Sequence, residues 1–449
     1  MESCNLFLNQ VVISKPEALL LEALPILLKQ STIDKNKNLV LLTGNAQLEI
    51  EQVKTFFSSL KKENIVIHHF VIDSEPTCLQ IDNIVHQLRC SKIEPFYVVG
   101  LGGGSVIDSG KAISFLLKER EDIVCFLEKV GTKTPSGNKI PFMAIATTSG
   151  TGSEATKNGV IKGNIDGVAF KSSFRHDNFI PNVAICDPAL LSTIPLHVTY
   201  YTAMDALAQL LESFTSTKYN PFCDAVCESG LISFALGFDS TILDGNDIEA
   251  RFDMAYAAWA SGVSLCNVGL GAIHGIAGVL GALSDIPHGA ACAILLPIVI
   301  EAMIRKLVVN ATIGSFNFRF LVKLARAGYL LNGELESGFD ISCGCKKLLA
   351  KLESFKNDFD FGTLSKYGFT TQQIPSISQL CENKNSPVQF NKKDFEAILF
   401  SAITGNELSL PKDGSDDEPC CSSNHEDGHC CEGEGNCECD DQGCNCKKS

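Results

Sequence analysis

The residue pattern of this 449-residue chain changes character once, near Pro188, and that change constrains the fold more than any other feature. Before it, two kinds of stretch take turns. EALLLEALPILLKQ (17–30), LEIEQVKTFFSSLKKE (48–63) and TCLQIDNIVHQLRCS (77–91) carry apolar residues at helical spacing. NLVLLTG (38–44), IVIHHFVI (65–72), EPFYVVGLGGG (94–104), IPFMAIATTSG (140–150) and NVAICD (182–187) read as short strands. Such alternation predicts an α/β domain, a parallel sheet covered by helices. After Pro188 the stretches 198–216, 220–238, 248–270, 293–309 and 392–403 all show helical periodicity and strand signals nearly vanish, which predicts an all-helical second domain. The expected division is 1–190, 191–408 and a tail at 409–449. The tail is Gly, Ser, Asp, Glu and Cys, with too little apolar surface to fold unaided, so it is expected to be disordered.

Charge excludes some partners. The net charge is −15, and eleven Asp or Glu against three Lys between 411 and 449 supply about half of it. Nucleic acid is not an expected partner, because phosphate neutralisation needs clustered Lys and Arg. No unbroken run of some 18 apolar residues points to a membrane span. The start, MESCNLFLNQVVISKP, lacks a basic region followed by an apolar core, so a cytoplasmic, reducing location is expected. Twelve scattered cysteines then read as core thiols.

Two small-residue loops follow strands. GLGGGSVIDSGKAI (100–113) leaves backbone N–H groups bare at Gly102–Gly104, with Ser105 expected as helix N-cap; the arrangement suits a pyrophosphate, or is simply a tight turn. In ATTSGTGSEATKNGVI (146–161), Thr147, Thr148 and Thr151 could bond a ribose or phosphate oxygen, or cap the turn.

The segment GAIHGIAGVLGALSDIPHGA (271–290) places His274 and His288 among small apolar residues. A buried neutral imidazole needs a partner, and with Asp205 upstream the two could hold a divalent cation with a position left open. Taken singly, His274 also reads as a hydrogen-bonded core residue, and Asp205 as a helix N-cap. His68 and His69 are adjacent on a strand, so they face opposite ways and share no metal easily.

GGGSVID, TTSGTGSE, DALAQLLES and the paired histidines with their PHG, in this order, resemble the iron-containing alcohol dehydrogenase family over about residues 10–405. The resemblance implies an NAD(P)-binding first domain, a helical metal and substrate domain, and a cleft between them. It implies a metal-dependent, NAD(P)-linked dehydrogenase moving a hydride between nicotinamide and an alcohol or aldehyde, as a homodimer. Carried over, Gly103, Gly104, Ser105 and Asp108 belong to the pyrophosphate loop, and Thr147, Thr148, Thr151, Asn158 and Lys171 to cofactor-contacting positions. Asp205, His274 and His288 match three metal ligands, for Fe2+ or Zn2+. The family's fourth ligand, a histidine, is Gln209 here, on the same helix face as Asp205. A histidine that many relatives carry near the substrate is Gly278. Where NAD-preferring relatives carry an aspartate after the second strand stands Gly44, whose lack of charge leans toward NADP.

The tail holds eight cysteines, at 420, 421, 430, 431, 437, 439, 444 and 446, with His425 and His429. It resembles metallothionein-like clusters and would take Zn2+ or Cu+. Two competing functions remain: a metal-independent, maleylacetate reductase-like enzyme, and a weakly catalytic relative that buffers metal through the tail.

Overall fold

The computed structural model describes residues 6, 8–13, 17–165, 167–309, 311–334, 338–411, 437–440 and 443–446. Met1–Leu410 form one compact unit and Pro411–Ser449 a second.

The first half of the larger unit is a six-stranded parallel sheet. Its strands are β1 (Gln10–Ile13), β2 (Asn38–Thr43), β3 (Val66–Val71), β4 (Tyr97–Gly102), β5 (Phe142–Ala146) and, after a two-strand excursion, β8 (Val183–Cys186). Their order is β1-β8-β5-β4-β2-β3. Helices α1 (Leu24–Asp34), α2 (Glu51–Lys62), α3 (Cys78–Cys90) and α4 (Gly104–Leu116) cover it. Alternation along each strand divides the apolar residues between the faces. Val40 and Leu42 join one core with Ile81, Ile113 and Phe115, while Leu39 and Leu41 join another with Val53 and Phe56.

The excursion is an antiparallel ribbon, β6 (Asn158–Ile165) with β7 (Val168–Arg175); the sequence reading marked no strand here and took 146–161 as loop. Its turn is closed by Gly167, at φ +85°, whose N–H donates to Asn164 Oδ1 at 2.9 Å.

From Pro188 on, the larger unit is helical: α5 (Pro188–Leu191), α6 (Leu196–Phe214), α7 (Pro221–Leu243), α8 (Ile248–Val268), α9 (Ala272–Leu283), α10 (His288–Val309), α11 (Phe316–Leu331), α12 (Ile341–Asp358), α13 (Ile374–Ser378) and α14 (Lys392–Thr404). These helices enclose the largest apolar core, with Met204, Leu207, Ile276, Leu295 and Phe320 inside. By length and composition α7 could cross a membrane. Its Cys227, Leu231, Phe234 and Phe238 are buried in this core.

In the second unit only two strands are described, β9 (Cys437–Asp440) and β10 (Gly443–Cys446), which pair antiparallel with Cys439 opposite Cys444. Of the expected tail ligands, Cys420, Cys421, His425, His429, Cys430 and Cys431 lie outside the described residues, as does most of the segment expected to be disordered.

Candidate active site

The glycine loop leaves β4 and enters α4. Its N-cap is Gly103 rather than Ser105, in extended conformation with no side-chain cap. Ser105 sits inside the first turn, where its carbonyl accepts from Ser109 Oγ at 2.7 Å. The serine therefore caps nothing, and an uncapped first turn keeps N–H groups for an anion. The two small-residue loops close on each other. A Cβ on Gly103 would stand 3.2 Å from Thr148 Cγ2, and one on Gly104 2.7 Å from Thr151 Cγ2. Glycine at these positions thus lets the two loops pack closely, above all Gly104 against Thr151.

Beneath the loops lies a buried polar knot. Lys111 is fully buried, and its Nζ donates to Ser153 Oγ at 2.8 Å, Thr156 Oγ1 at 2.7 Å and the Asn158 carbonyl at 2.7 Å. Asp108 Oδ1 stands 3.6 Å from that ammonium and accepts from Ser153 Oγ at 2.5 Å; its Oδ2 accepts from Val160 N–H at 2.9 Å. Asp108 and Asn158 thus tie α4 to the second loop and the ribbon. Burial pushes the nearby Glu154 carboxyl up to about 7. Thr147 Oγ1 accepts from Gln47 Nε2 at 3.1 Å. Lys171 is engaged by Glu75, 2.7 Å away, which Lys162 also holds at 2.7 Å. Gly44 follows β2; a Cβ there would run into Gln47 Oε1 and come within 3.6 Å of the Ile72 carbonyl, both uncharged.

The second loop leans on the helical half. A Cβ on Gly150 would strike Thr202 of α6, and Gly152 packs against Gly262 of α8, so closely that a Cβ on it would stand 2.5 Å from Gly262 Cα. Thr202 lies one helical turn before Asp205.

Asp205, His274 and His288 converge with Cys292, each offering one donor atom, all within 4.8 Å of one another and with three of the four residues buried. Asp205 lies inside α6, not at its start, so the N-cap alternative falls. His274 Nε2 is 3.2 Å and His288 Nε2 3.8 Å from Asp205 Oδ1. His274 Nδ1 donates to Glu212 Oε2 at 2.6 Å, and Glu212 Oε1 accepts from Ile273 N–H at 2.5 Å. Burial disfavours charge on each of these groups. Attraction between them outweighs it: Asp205 is held below the usual carboxylate range by its bond to His274, and His274 is raised well above the usual imidazole range beside Cys292 and Glu212. Gln209 hydrogen-bonds Asp205, and its Oε1 accepts from Ser261 Oγ at 2.7 Å. Carboxylate, imidazole and thiol donors converging at such distances, with a carboxylate behind one imidazole, fit a divalent transition cation.

A Cβ on Gly278 would meet nothing within 4 Å, so the missing histidine leaves open space. His68 and His69 bond separate partners, Asn38 and Thr43. Sequence reasoning missed Glu212 and Cys292. Both had a signal: Glu212 is seven residues after Asp205, Cys292 four after His288, and each interval returns to the same helix face.

Two family profiles match the chain. "Iron-containing alcohol dehydrogenase" matches residues 21–188, and "Fe-containing alcohol dehydrogenase family, C-terminal" matches residues 199–403. Long-chain-alcohol dehydrogenase 1 of Geobacillus thermodenitrificans is 28% identical over 82% of this chain and 90% of its own length. Alcohol dehydrogenase 4 of Saccharomyces cerevisiae is 30% identical over 68% of this chain and 75% of its own. The solved structure of an alcohol dehydrogenase from Oenococcus oeni shares the fold, with a TM-score of 0.77 at 23% identity over 89% of this chain and 100% of that one.

Proposed function

The chain belongs to the iron-containing alcohol dehydrogenase family and is an NAD(P)-linked alcohol dehydrogenase; from that premise we infer that it works on a divalent cation held by Asp205, His274 and His288. The convergence of those three side chains carries the reading. The cation supplies Lewis-acid polarisation of an alcohol or aldehyde oxygen, and the nicotinamide accepts or gives the hydride.

The chain's own residues do the positioning. Glu212 accepts from His274 Nδ1 and so leaves Nε2 as the ligating nitrogen. N–H groups at Gly103, Gly104 and Ser105 take the pyrophosphate, with Thr147, Thr148 and Thr151 beside it. Asp108, Asn158 and Lys171 act at one remove, because their bonds hold the loops and the ribbon. The open space at Gly278 admits water, which carries the substrate proton away. Uncharged surroundings at Gly44 tolerate a 2′-phosphate, so NADP(H) is accepted at least as well as NAD(H). The substrate is a primary alcohol or its aldehyde, the cation Zn2+ or Fe2+, the assembly a homodimer and the compartment the reducing cytosol. The tail binds Zn2+ or Cu+ independently of catalysis. Retention of the donor cluster disfavours a metal-independent reductase.

The test pairs elemental analysis with aldehyde reduction by NADH and NADPH, on the full chain and on one ending at Leu410. One cation should remain in the shortened chain, and its turnover should be kept. Full activity after exhaustive chelation would refute the reading. Gly44→Asp should shift preference toward NADH by about tenfold, the worth of roughly 1.4 kcal/mol.

A further inference from the structure

We propose that Cys292 is the fourth protein ligand of this metal centre, as a thiolate, in the place the sequence offers to Gln209. The proposal rests on the reading that Asp205, His274 and His288 hold a divalent cation. Cys292 Sγ lies 3.8 Å from Asp205 Oδ1, 4.0 Å from His274 Nε2 and 3.8 Å from His288 Nε2. Bond lengths of about 2.0–2.3 Å in a tetrahedral site put neighbouring donors about 3.3–3.7 Å apart, so the observed separations need only slight contraction. The residue is wholly buried, and three ligand atoms surround its sulfur. Other thiols of the helical half behave differently: Cys345 and Cys381 point at backbone carbonyls, of Leu321 and Ile377. Gln209 accepts from Ser261 through its Oε1 and hydrogen-bonds Asp205. Cys292 instead stands one turn after His288 on α10, so the same helix brings both donors to one face. The coordinating group lost from α6 is thereby replaced from α10. Thiolate is softer than imidazole, and a carboxylate, two imidazoles and a thiolate favour zinc or cobalt over ferrous iron.

The experiment uses the full-length chain with its eight tail cysteines replaced by serine, loaded with Co2+ or Zn2+. One Co2+ should bind with a sulfur-to-cobalt charge-transfer band in the near ultraviolet, and X-ray absorption of the Zn2+ form should show one sulfur neighbour at about 2.3 Å. Cys292→Ser should lose the band, and its metal retention against a chelator should fall about tenfold or more. Cys292→Asp should regain retention without the band. A bound ion with only nitrogen and oxygen neighbours overturns the proposal and leaves the three-ligand site standing, as does a band unchanged in Cys292→Ser. A chain that binds no Co2+ or Zn2+ at all overturns the metal-centre reading itself, and this proposal with it.

Discussion

Two buried charged clusters sit in this molecule, and they solve the same electrostatic problem in opposite ways. Under the glycine loops, Lys111 brings a cation on a covalent stem and surrounds it with four oxygens from Asp108, Ser153, Thr156 and Asn158. In the helical half, Asp205, His274, His288 and Cys292 converge with Glu212 behind them, and Lys384 donates to the His274 carbonyl at 3.2 Å. The first cluster is closed: its charge is balanced from within the chain. On the reading proposed above, the second takes its charge from solution. A buried ion pair is costly to break and of small net worth when kept, so the knot is architecture. A donor set that imports its cation gains chemistry as well.

The contrast can be broken experimentally, beginning with the largest effect. His274→Ala should empty the open cluster, so that the folded chain retains no cation there, and lower kcat/KM on the order of 10³-fold, several kcal/mol of transition-state stabilisation. Lys111→Met should do the reverse. Removing the ammonium from Asp108 and three oxygens should cost about 3–5 kcal/mol in denaturant titration, with one cation still bound per folded chain. Loss of the cation in Lys111→Met would show that the clusters are not separate devices.

The pH dependence separates them further. Glu154 has its pKa raised by burial from 4.5 to about 7. Between those values the folded chain keeps a proton that the unfolded chain has released. Stability from this group is therefore full below about pH 4.5 and lost as pH rises through 7, by about 3 kcal/mol at most. Glu154→Gln should flatten that fall when melting is followed from pH 5 to pH 8. The smallest expected effect is at the support of the open cluster. Glu212→Gln keeps the shape but weakens the acceptor for His274, and metal affinity in competition titrations should drop about 10–100-fold.

How much of this was legible follows from which signals are local. Five strands of the parallel sheet were, because each is a short, mostly apolar run ended by a turn; β1, only four residues long, was not. The helical half was, because its apolar spacing repeats for whole helices. Asp205, His274 and His288 stood out because charged or imidazole groups are rare among small apolar neighbours. The ribbon at 158–175 was not, since its alternation is weak and one side is polar. Ser105 was misplaced as a cap because serine is a common N-cap, while here a glycine takes that position so that Thr148 and Thr151 can come near. Cys292 and Glu212 escaped because a thiol in an apolar helix and a glutamate in an amphipathic one look ordinary until a partner fifty or more residues away faces them.

Gly152 and Gly262 meet main chain against main chain, with no side chain between to act as spacer or spring. A methyl group on either glycine would run into the other's backbone, so even alanine would drive the second small-residue loop away from α8. The spacing between that loop and the helix that faces it is thus set by the absence of two methyl groups.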